Sequence, residues 1–455
     1  MVLPDGLPTP RRSWAYATVA LAVTLAVMDG SVANVALPTI AQQLGTTPAL
    51  SIWIVNAYQL AVVGSLLPLA SLGEIYGYRR IYVGGLAVFT LASLACALSP
   101  SLAALTVARV AQGFGAAGVM SVNIALVRYI FPRDKLARAI GLNALFAAIA
   151  ATIGPTFASV VLGIASWPWL FSVNVPLGLI ALAIGSFSLP ESDLSSHRFD
   201  VLSAVLTAIA FATLITAIDS VANSDAWPVT AAQLLVCVLA GFAAAVRQLG
   251  RPSPLLPIDL MRIPVFALSI ATSICSFAAQ MIAFVALPFH MQTVLGVAPS
   301  VIGFLMMPWP AAVALFAPIS GRLVERYPAG LLGGFGLALL AVGLVLVAQL
   351  PPHPAFLDVA WRMVLCGSGF GLFQTPNNRT LIAAAPRRRS GGASGMLSTA
   401  RLMGQAIGAA LVAVLLSHFA QRGTLLSLYM AAGFAGVAAV VSTLRVATRT
   451  RPLTA

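Results

Sequence analysis

The sequence predicts an all-α integral membrane protein. Fourteen transmembrane helices are expected to form two six-helix bundles, related by a parallel repeat, with a two-helix insert between them. Three observations predict this fold: an apolar composition, fourteen apolar segments of spanning length, and landmarks that recur at one offset. Of the 455 residues, 60% are hydrophobic and 8% are charged, and the mean hydropathy is +0.96. Soluble domains carry about 25% charged residues.

The apolar segments define the predicted helices. A helix needs about 20 apolar residues to cross a hydrocarbon core about 30 Å thick. Segments of that length predict helices 1 to 14, which begin near Trp14, Ile52, Ile81, Leu102, Leu136, Trp169, Val201, Val229, Val265, Val301, Gly330, Pro354, Gly392 and Leu425. The first segment is too long for the apolar region of a signal peptide and shows no clear cleavage site, so we expect it to be retained as helix 1.

The distribution of basic residues predicts the orientation. The 25 Lys and Arg residues exceed the 12 Asp and Glu residues and give a net charge of +13. Such an excess could indicate a nucleic-acid partner in a soluble protein. Here, however, the basic residues follow the even-numbered helices, as at Arg79, Arg133 and Arg388, with Arg445 among those at the end of the chain. The alternate connections have almost none. By the positive-inside rule, both termini face the cytoplasm. The charge is therefore explained by the lipid bilayer, and we expect no nucleic acid.

Two landmarks recur in the same order in the two halves of the chain. Helix 1 ends in ALPTIAQQLG from residue 36, and helix 9 ends in ALPFHMQTVLG from residue 286, an offset of 250. Helix 2 runs through Pro68 to LGEIYGYRR, and helix 10 runs through Pro318 to SGRLVERYP. Parallel internal repeats are typical of transporters.

A six-helix repeating unit sets the domain boundaries. We expect an N-terminal bundle over residues 1–190, an insert and linker over 191–250, and a C-terminal bundle over 251–455. The connection inside the insert holds Asp219 and Asp225. No charge lies deep within either helix of the insert, which favours a lipid-facing spacer over a substrate-contacting role.

Asp29 and Arg109 are the two deep charges that most need an explanation. At 1.5 Å per residue, they lie about 12 Å and about 10 Å from the outer ends of helices 1 and 4. A static buried ion pair is one explanation, and a pathway for protons is the other, because intramembrane charges usually mark pathways. A carboxylate that faces a cavity can exchange a proton for substrate. Asn34 and Gln112 are candidates to hold the pair or its water.

Several motifs carry a resemblance to a known family. Helix 1 reads Asp-x-x-x-x-Asn-x-Ala-Leu-Pro from Asp29, helix 4 reads Arg-x-x-Gln-Gly at Arg109, Gln112 and Gly113, and helix 5 carries Gly154-Pro155. The stretch WLFSVNVPLG (169–178) stands at the entry to helix 6. Over nearly its whole length the chain resembles a major facilitator superfamily transporter of the fourteen-helix drug:proton antiporter branch.

The resemblance implies a function. It implies a non-enzymatic, monomeric multidrug efflux transporter without a cofactor or metal, which exchanges protons for amphiphilic or cationic drugs or biocides at the bacterial cytoplasmic (inner) membrane. It further implies that Asp29 carries the coupling proton beside Arg109, that Asn34, Gln112 and Gly113 support them, and that two bundles rock about a central cavity.

The loop after helix 2 resembles the gating loop of that family with departures. Glu74 replaces its aspartate and Ala70 its first glycine, whereas Gly77, Arg79 and Arg80 keep the residue type. The copy after helix 10 is nearer the pattern. The implied cytoplasmic gate comprises Glu74, Gly77, Arg79, Arg80, Gly321, Glu325 and Arg326.

The remaining candidates are weaker. Polar, aromatic and methionine side chains that could line a substrate cavity, or simply pack, are Trp53, Tyr58, Gln59, Met281, Phe284, Met307, Trp309 and Gln374. The GFGAAG run from Gly113 matches a dinucleotide fingerprint, but it lies inside a spanning helix, where small residues serve close packing. The four cysteines suggest neither disulfides nor metal ligands.

Two other functions remain open at this point. One is a dedicated exporter or importer of a single metabolite. The other is a non-transporting membrane sensor or assembly factor, although such a sensor would be expected to carry a soluble domain.

Overall fold

The computed structural model describes residues 6–194, 199–222, 227–248, 258–352, 354–385, 390–419 and 422–448. Within these ranges, fourteen helices are long and apolar enough to cross a membrane, which confirms the predicted number. Helices 1 to 14 span Arg11–Gln43, Pro48–Tyr76, Tyr78–Ala97, Leu102–Ile130, Arg133–Ile164, Pro168–Ser188, Val201–Ala222, Trp227–Gln248, Pro264–Val294, Pro299–Leu323, Ala329–Ala348, Phe356–Ala384, Ser390–His418 and Gly423–Thr448. Arg388 and Asp225 lie outside the described residues.

Local chemistry explains where several helices begin. Pro48, Pro168 and Pro264 stand in first turns, where the missing N–H of proline is not needed for a helical hydrogen bond. Thr47 and Ser101 precede helices 2 and 4, and each hydroxyl accepts a hydrogen bond from a backbone N–H of the first turn. These signals place the start of helix 2 four residues before Ile52, and the starts of helices 4, 6 and 9 within one residue of the predicted positions.

The repeat is visible in backbone detail. Helices 1 and 9 each contain a proline near the end, Pro38 and Pro288, and each is followed by a glycine of positive φ, Gly45 at 61° and Gly296 at 66°. Helix 9 has one residue more between its proline and its glycine. It forms a π-helical turn over His290–Val294, and such a turn accommodates a single inserted residue. The two helices therefore end in the same way despite the extra residue.

Glycines on helices 4 and 12 make the same contacts in the two bundles. A side chain at Gly113 would meet the Tyr58 carbonyl oxygen of helix 2, and one at Gly367 would meet the Trp309 carbonyl oxygen of helix 10. Close backbone approach through small residues is the usual basis of helix packing in membranes. The GFGAAG run is thus part of a helix interface, as its position inside helix 4 predicts.

The two bundles share one large core, which lies at one end. We call the end that bears Arg11, Arg79 and Arg322 the arginine-rich end, and the other the far end. At the far end, the segments Val32–Ile40 of helix 1 and Phe277–Met291 of helix 9 belong to one continuous cluster. Toward the arginine-rich end, each bundle has its own separate cluster. The protein is therefore closed at the far end. Toward the arginine-rich end the bundles have separate cores, but helices 2 and 13 stay in contact, where Leu402 joins the cluster of Tyr58 and Leu67 lies against Gly395.

The insert covers one seam between the bundles. Helix 7 packs against helices 2 and 13, where Ile215 lies in a cluster with Leu60, Ala406 and Ala410. Trp53 on helix 2 donates its indole N–H to Asp219 on helix 7 at 2.8 Å. Helix 8 packs on helix 7 and is largely exposed. The predicted spacer role fits helix 8, whereas helix 7 is part of the interface between the bundles.

Helices 5 and 10 close the opposite seam at the far end. The Ser159 hydroxyl accepts a hydrogen bond from the Gly303 N–H at 2.6 Å and donates one to the Pro299 carbonyl at 2.9 Å. Gly303 lies directly against the Pro155 carbonyl oxygen, so a Cβ atom has no room there. Pro155 of the Gly-Pro motif is thus a contact of the far-end seam, whereas Gly154 lies against Ser31 of helix 1.

We expect Gly303→Ala to open this seam. Overpacking costs about 1–3 kcal/mol, and each 1.4 kcal/mol shifts a two-state population about tenfold. In purified cysteine-free protein, a cysteine at position 161 should be alkylated at least about fivefold faster in this background. Gly141→Ala is the matched control on helix 5, because nothing lies within 4 Å of its Cβ position. An unchanged alkylation rate with Gly303→Ala would show that the seam tolerates the methyl group.

Candidate functional site

Asp29 and Arg109 form a buried ion pair. The side chains come from helices 1 and 4, with residue exposures of 3% and 0%. Arg109 Nη1 lies 2.5 Å from Asp29 Oδ2, and Arg109 Nε donates to the Ile54 carbonyl of helix 2 at 2.9 Å. Both groups of the pair need polar partners, because an unpaired charge at this depth is costly.

Gln112 connects the two charges. It lies one turn after Arg109, on the same face of helix 4. Its Nε2 donates to Asp29 Oδ1 at 2.8 Å and to the Ser93 hydroxyl of helix 3 at 2.9 Å. Its Oε1 accepts from Arg109 Nη1 at 2.6 Å. The amide therefore satisfies both charged partners at once and fixes their relative position.

Asn174 and Cys96 complete the polar cluster. Asn174 Nδ2, from helix 6, donates to Asp29 Oδ1 at 3.0 Å, and the Cys96 thiol lies 3.5 Å from Gln112 Oε1. Sequence reasoning did not single out Asn174, Ser93 or Cys96. Asn174 lies within the motif WLFSVNVPLG, so an amide in the entry to helix 6 was the available signal. The cluster joins helices 1, 2, 3, 4 and 6.

Aromatic rings enclose the guanidinium. The Arg109 Cζ atom lies 4.3 Å from the centroid of Tyr58 and 5.6 Å from that of Phe171. A ring face attracts a cation, most strongly where water is excluded. Tyr58, which was a candidate to line the substrate cavity, therefore packs against the Arg109 guanidinium of the ion pair.

The cluster holds one carboxylate at its centre. Asp29 accepts hydrogen bonds from Arg109, Gln112 and Asn174. Among the described residues around it, no nucleophile with an adjacent base is present. In the part of the chain that the structure describes, no three His, Cys, Asp or Glu side chains lie together in a way that could hold a metal ion.

Asn34 does not join the ion pair. Its Nδ2 approaches the Met281 sulfur of helix 9 at 4.0 Å, and its Oδ1 is buried without a hydrogen-bond partner. Asn34 thus lies in the contact between the bundles, one and a half turns beyond Asp29.

The other cavity candidates are distributed over three environments. Phe284 and Trp309 stack edge to face in the shared far-end core, where Met281 is also buried. Trp53 binds Asp219 at the insert, away from the ion pair. The remaining side chains are buried or half-buried in the bundle interiors: Gln59, Met307 and Gln374.

The loop residues of the implied gate lie at the arginine-rich end. Arg79 donates to the Ser186 carbonyl and lies 3.9 Å from Glu191, both at or beyond the end of helix 6. Gly77 has a φ of 100° and forms the tight junction between helices 2 and 3. Glu74, Arg80, Glu325 and Arg326 are exposed, and Gly321 is half-buried. The described contacts of Arg79 stay within its own bundle.

Arg445 corrects one expectation. The sequence pattern places it among the terminal topology signals, but the structure buries it to 3% exposure. Its Nη1 donates to Asn377 Oδ1 at 2.5 Å and to the Ser269 hydroxyl at 2.9 Å. This network joins helices 9, 12 and 14, the counterparts of helices 1, 4 and 6. Arg445 lies near the end of helix 14, where the sequence alone does not distinguish a buried arginine from a topology signal.

Comparison with known proteins identifies a family and several relatives. The family model described as Major Facilitator Superfamily matches residues 19–271 and 268–454. The chain is 54% identical to the "Uncharacterized transporter YebQ" of Escherichia coli (strain K12) over 97% of both chains. It is 35% identical to the "Multidrug resistance protein Stp" of Mycobacterium tuberculosis (strain CDC 1551 / Oshkosh), over 87% of this chain and 74% of that one.

A solved structure shares the fold. It is a bacterial homolog to the human lysosomal transporter Spinster in an inward-facing and unoccupied conformation, with a TM-score of 0.72 and 17% identity, covering 99% of this chain and 100% of that chain.

We expect Gln112→Leu to destabilise the protein. Leucine keeps the approximate volume but removes a donor to Asp29 and an acceptor for Arg109, and leaving such buried groups unsatisfied costs about 1–3 kcal/mol. The melting temperature of the purified protein in detergent should fall by several degrees, by about 2–4 °C per kcal/mol. Gln42→Leu, at an exposed position near the end of helix 1, is the control. Equal melting temperatures for Gln112→Leu and wild type would mean that the amide is dispensable.

Proposed function

Because this chain belongs to the major facilitator superfamily, we propose that it is a proton-coupled antiporter that exports amphiphilic drugs or biocides by alternating access. The buried Asp29–Arg109 pair with its amide partners carries the proposal. A carboxylate in such a cluster can bind and release a proton without chemical change elsewhere. The name of the 35% identical relative, a multidrug resistance protein, supports the class of substrate.

The arginine-rich end is assigned to the cytoplasm. The positive-inside rule supports this assignment and places both termini there, in a bacterial cytoplasmic membrane. The closed far end then faces outward, and the described state is open to the cytoplasm. A substrate would enter between the bundles from the arginine-rich end and leave after the far-end seam opens.

The ion pair can couple the proton to this motion. Asp29 and the seam segment Val32–Ile40 lie on the same helix, so a change at Asp29 acts directly on helix 1. Protonation of Asp29 removes its attraction to Arg109, which helices 2 and 4 hold in place through Ile54 and Gln112. Helix 1 can then move relative to helix 4, and the far-end seam changes with it.

We expect Asp29→Asn to abolish coupling. The amide keeps the shape and some hydrogen bonds but cannot titrate. In proteoliposomes with an imposed pH gradient, uphill efflux and substrate-induced proton release should fall to the level of empty liposomes, while downhill exchange survives. Asp358→Asn is the matched control, since Asp358 also pairs with an arginine, Arg362, at 2.9 Å, but near the far end of helix 12. Wild-type uphill efflux by Asp29→Asn would make Asp29 structural and move the search for the coupling site to Glu74 or the insert.

We also propose that the loop residues form a gate. When the bundles close at the arginine-rich end, Glu74, Arg79 and Arg80 approach the Glu325–Arg326 region of the second bundle, and charge contacts stabilise the outward-open state. In the described state, Arg79 instead contacts Ser186 and Glu191.

Replacing both Arg79 and Arg80 with alanine should therefore slow transport and enrich the inward-open state. Cysteine pairs placed across the far-end seam should cross-link more in this variant, while substrate binding persists. Arg262→Ala, another exposed arginine at the same end, serves as the control. Unchanged flux and cross-linking in the double variant would leave these arginines as topology signals only.

A further inference from the structure

Arg401 is a charged side chain in the middle of helix 13. At 1.5 Å per residue it lies about 16 Å from Ser390 and about 25 Å from His418. Arg401 is exposed, although its neighbours Ala400 and Leu402 are 2% and 6% exposed. Its exposure is therefore a property of one helix face, not of a frayed helix end.

The helix geometry shows which face this is. Gly404 lies against helix 9 at Ile274, and Leu402 lies in a cluster with Tyr58 of helix 2. At 100° per residue, Arg401 lies about 60° from Gly404 and about 100° from Leu402, between these two faces. Val412 lies on almost the same side, three turns nearer the far end, and is buried in the core that both bundles share. Arg401 thus faces the interior between the bundles, beside the line along which helices 2 and 13 stay in contact as far as Leu67 and Gly395.

The guanidinium rests on an aromatic surface. Its Cζ atom lies 5.6 Å from the centroid of Phe277, and Phe277 packs edge to face on Phe370 at 5.4 Å. Phe277 is itself 3% exposed. The described residues give Arg401 this ring contact and no ion pair or hydrogen bond. A cation beside an apolar surface suits a ligand with an acidic group and an apolar body.

The charge distribution favours the same class of ligand. Among the described residues of the bundle helices, Asp29 is the only Asp or Glu that lies far from a helix end. Its carboxylate is already engaged by Arg109, Gln112 and Asn174. A purely cationic substrate would meet Arg401 without a second carboxylate at this depth, whereas an acid gains a charge-assisted hydrogen bond.

We propose that Arg401 binds the acidic group of the substrate, so that the transporter selects amphiphiles that carry a carboxylate or a similar anion. This proposal rests on the proposed export function and narrows its substrate class. The apolar part of the ligand lies toward Phe277, and Arg401 discriminates the charged group. Arginine suits this role, because its planar guanidinium matches a carboxylate with two parallel hydrogen bonds.

A matched pair of dyes tests the proposal. Tetramethylrhodamine with a free carboxylate and its methyl ester differ in this one acidic group, and fluorescence polarisation measures their binding to the purified full-length protein. The wild type should bind the free acid more tightly than the ester. Arg401→Ala and Arg401→Gln should weaken binding of the acid about tenfold, as for the loss of about 1.4 kcal/mol, with little change for the ester. Arg401→Lys should retain part of the preference.

Arg362→Ala is the control for removing a positive charge from a helix elsewhere, since Arg362 pairs with Asp358 near the far end. It should change neither affinity. The proposal is overturned if the wild type prefers the ester or binds neither dye. It is also overturned if the Arg401 variants leave acid binding unchanged or weaken the binding of both dyes equally.

Proton-driven flux of the two dyes is measured separately. If acid binding depends on Arg401 but the protein shows no proton-driven flux, the export function is refuted and the binding site stands. If flux of the free acid is the same with and without Arg401, the binding site is refuted and the export function stands.

Discussion

The arrangement of the N-terminal bundle depends on the need to satisfy two opposite charges at membrane depth. Asp29 and Arg109 lie where water is scarce, and each unsatisfied polar group there costs several kcal/mol. Five helices therefore contribute partners, through Ile54, Ser93, Gln112 and Asn174 as well as the pair itself. Loss of either charge would leave the partners of the other unsatisfied in the same low-dielectric surroundings. The cluster is therefore sensitive to the charge state of Asp29.

The C-terminal bundle has a different side chain at the depth of the ion pair. By the repeat that aligns Gly113 with Gly367, the counterpart of Arg109 is Met363, which is fully buried. The polar link between the corresponding helices is instead the Arg445–Asn377 network, nearer the arginine-rich end. The two bundles thus share a scaffold of close glycine contacts but differ in the depth of their polar clusters. In the function proposed above, proton exchange belongs to the N-terminal bundle and ligand binding draws on the C-terminal one.

Hydropathy and the repeat predict the helices, because a spanning segment must be apolar over its whole length and the two halves have the same periodic landmarks. The extra residue of helix 9 is visible in the sequence as eleven letters against ten, and a π turn is its physical solution. The pairing of Asp29 with Arg109 is predictable from their similar depth. Asn174 and Ser93 were missed because neutral polar residues are common in membrane helices and do not report their direction. Arg445 was misinterpreted because a charge near a helix end usually signals topology. Trp53 was predicted to line a cavity, because the sequence does not show that its hydrogen-bond partner lies on the insert.

The position of helix 7 has a consequence for molecules dissolved in the membrane. It lies across helices 2 and 13, with Ile215 packed between them and Asp219 bonded to Trp53. A lipophilic compound that diffuses within the leaflet is therefore blocked on this side of the protein. Among the described helices, none lies across helices 5 and 10 in the same way. The insert makes the two flanks of the transporter unequal, so that any sideways route from the leaflet to the interior runs past helices 5 and 10.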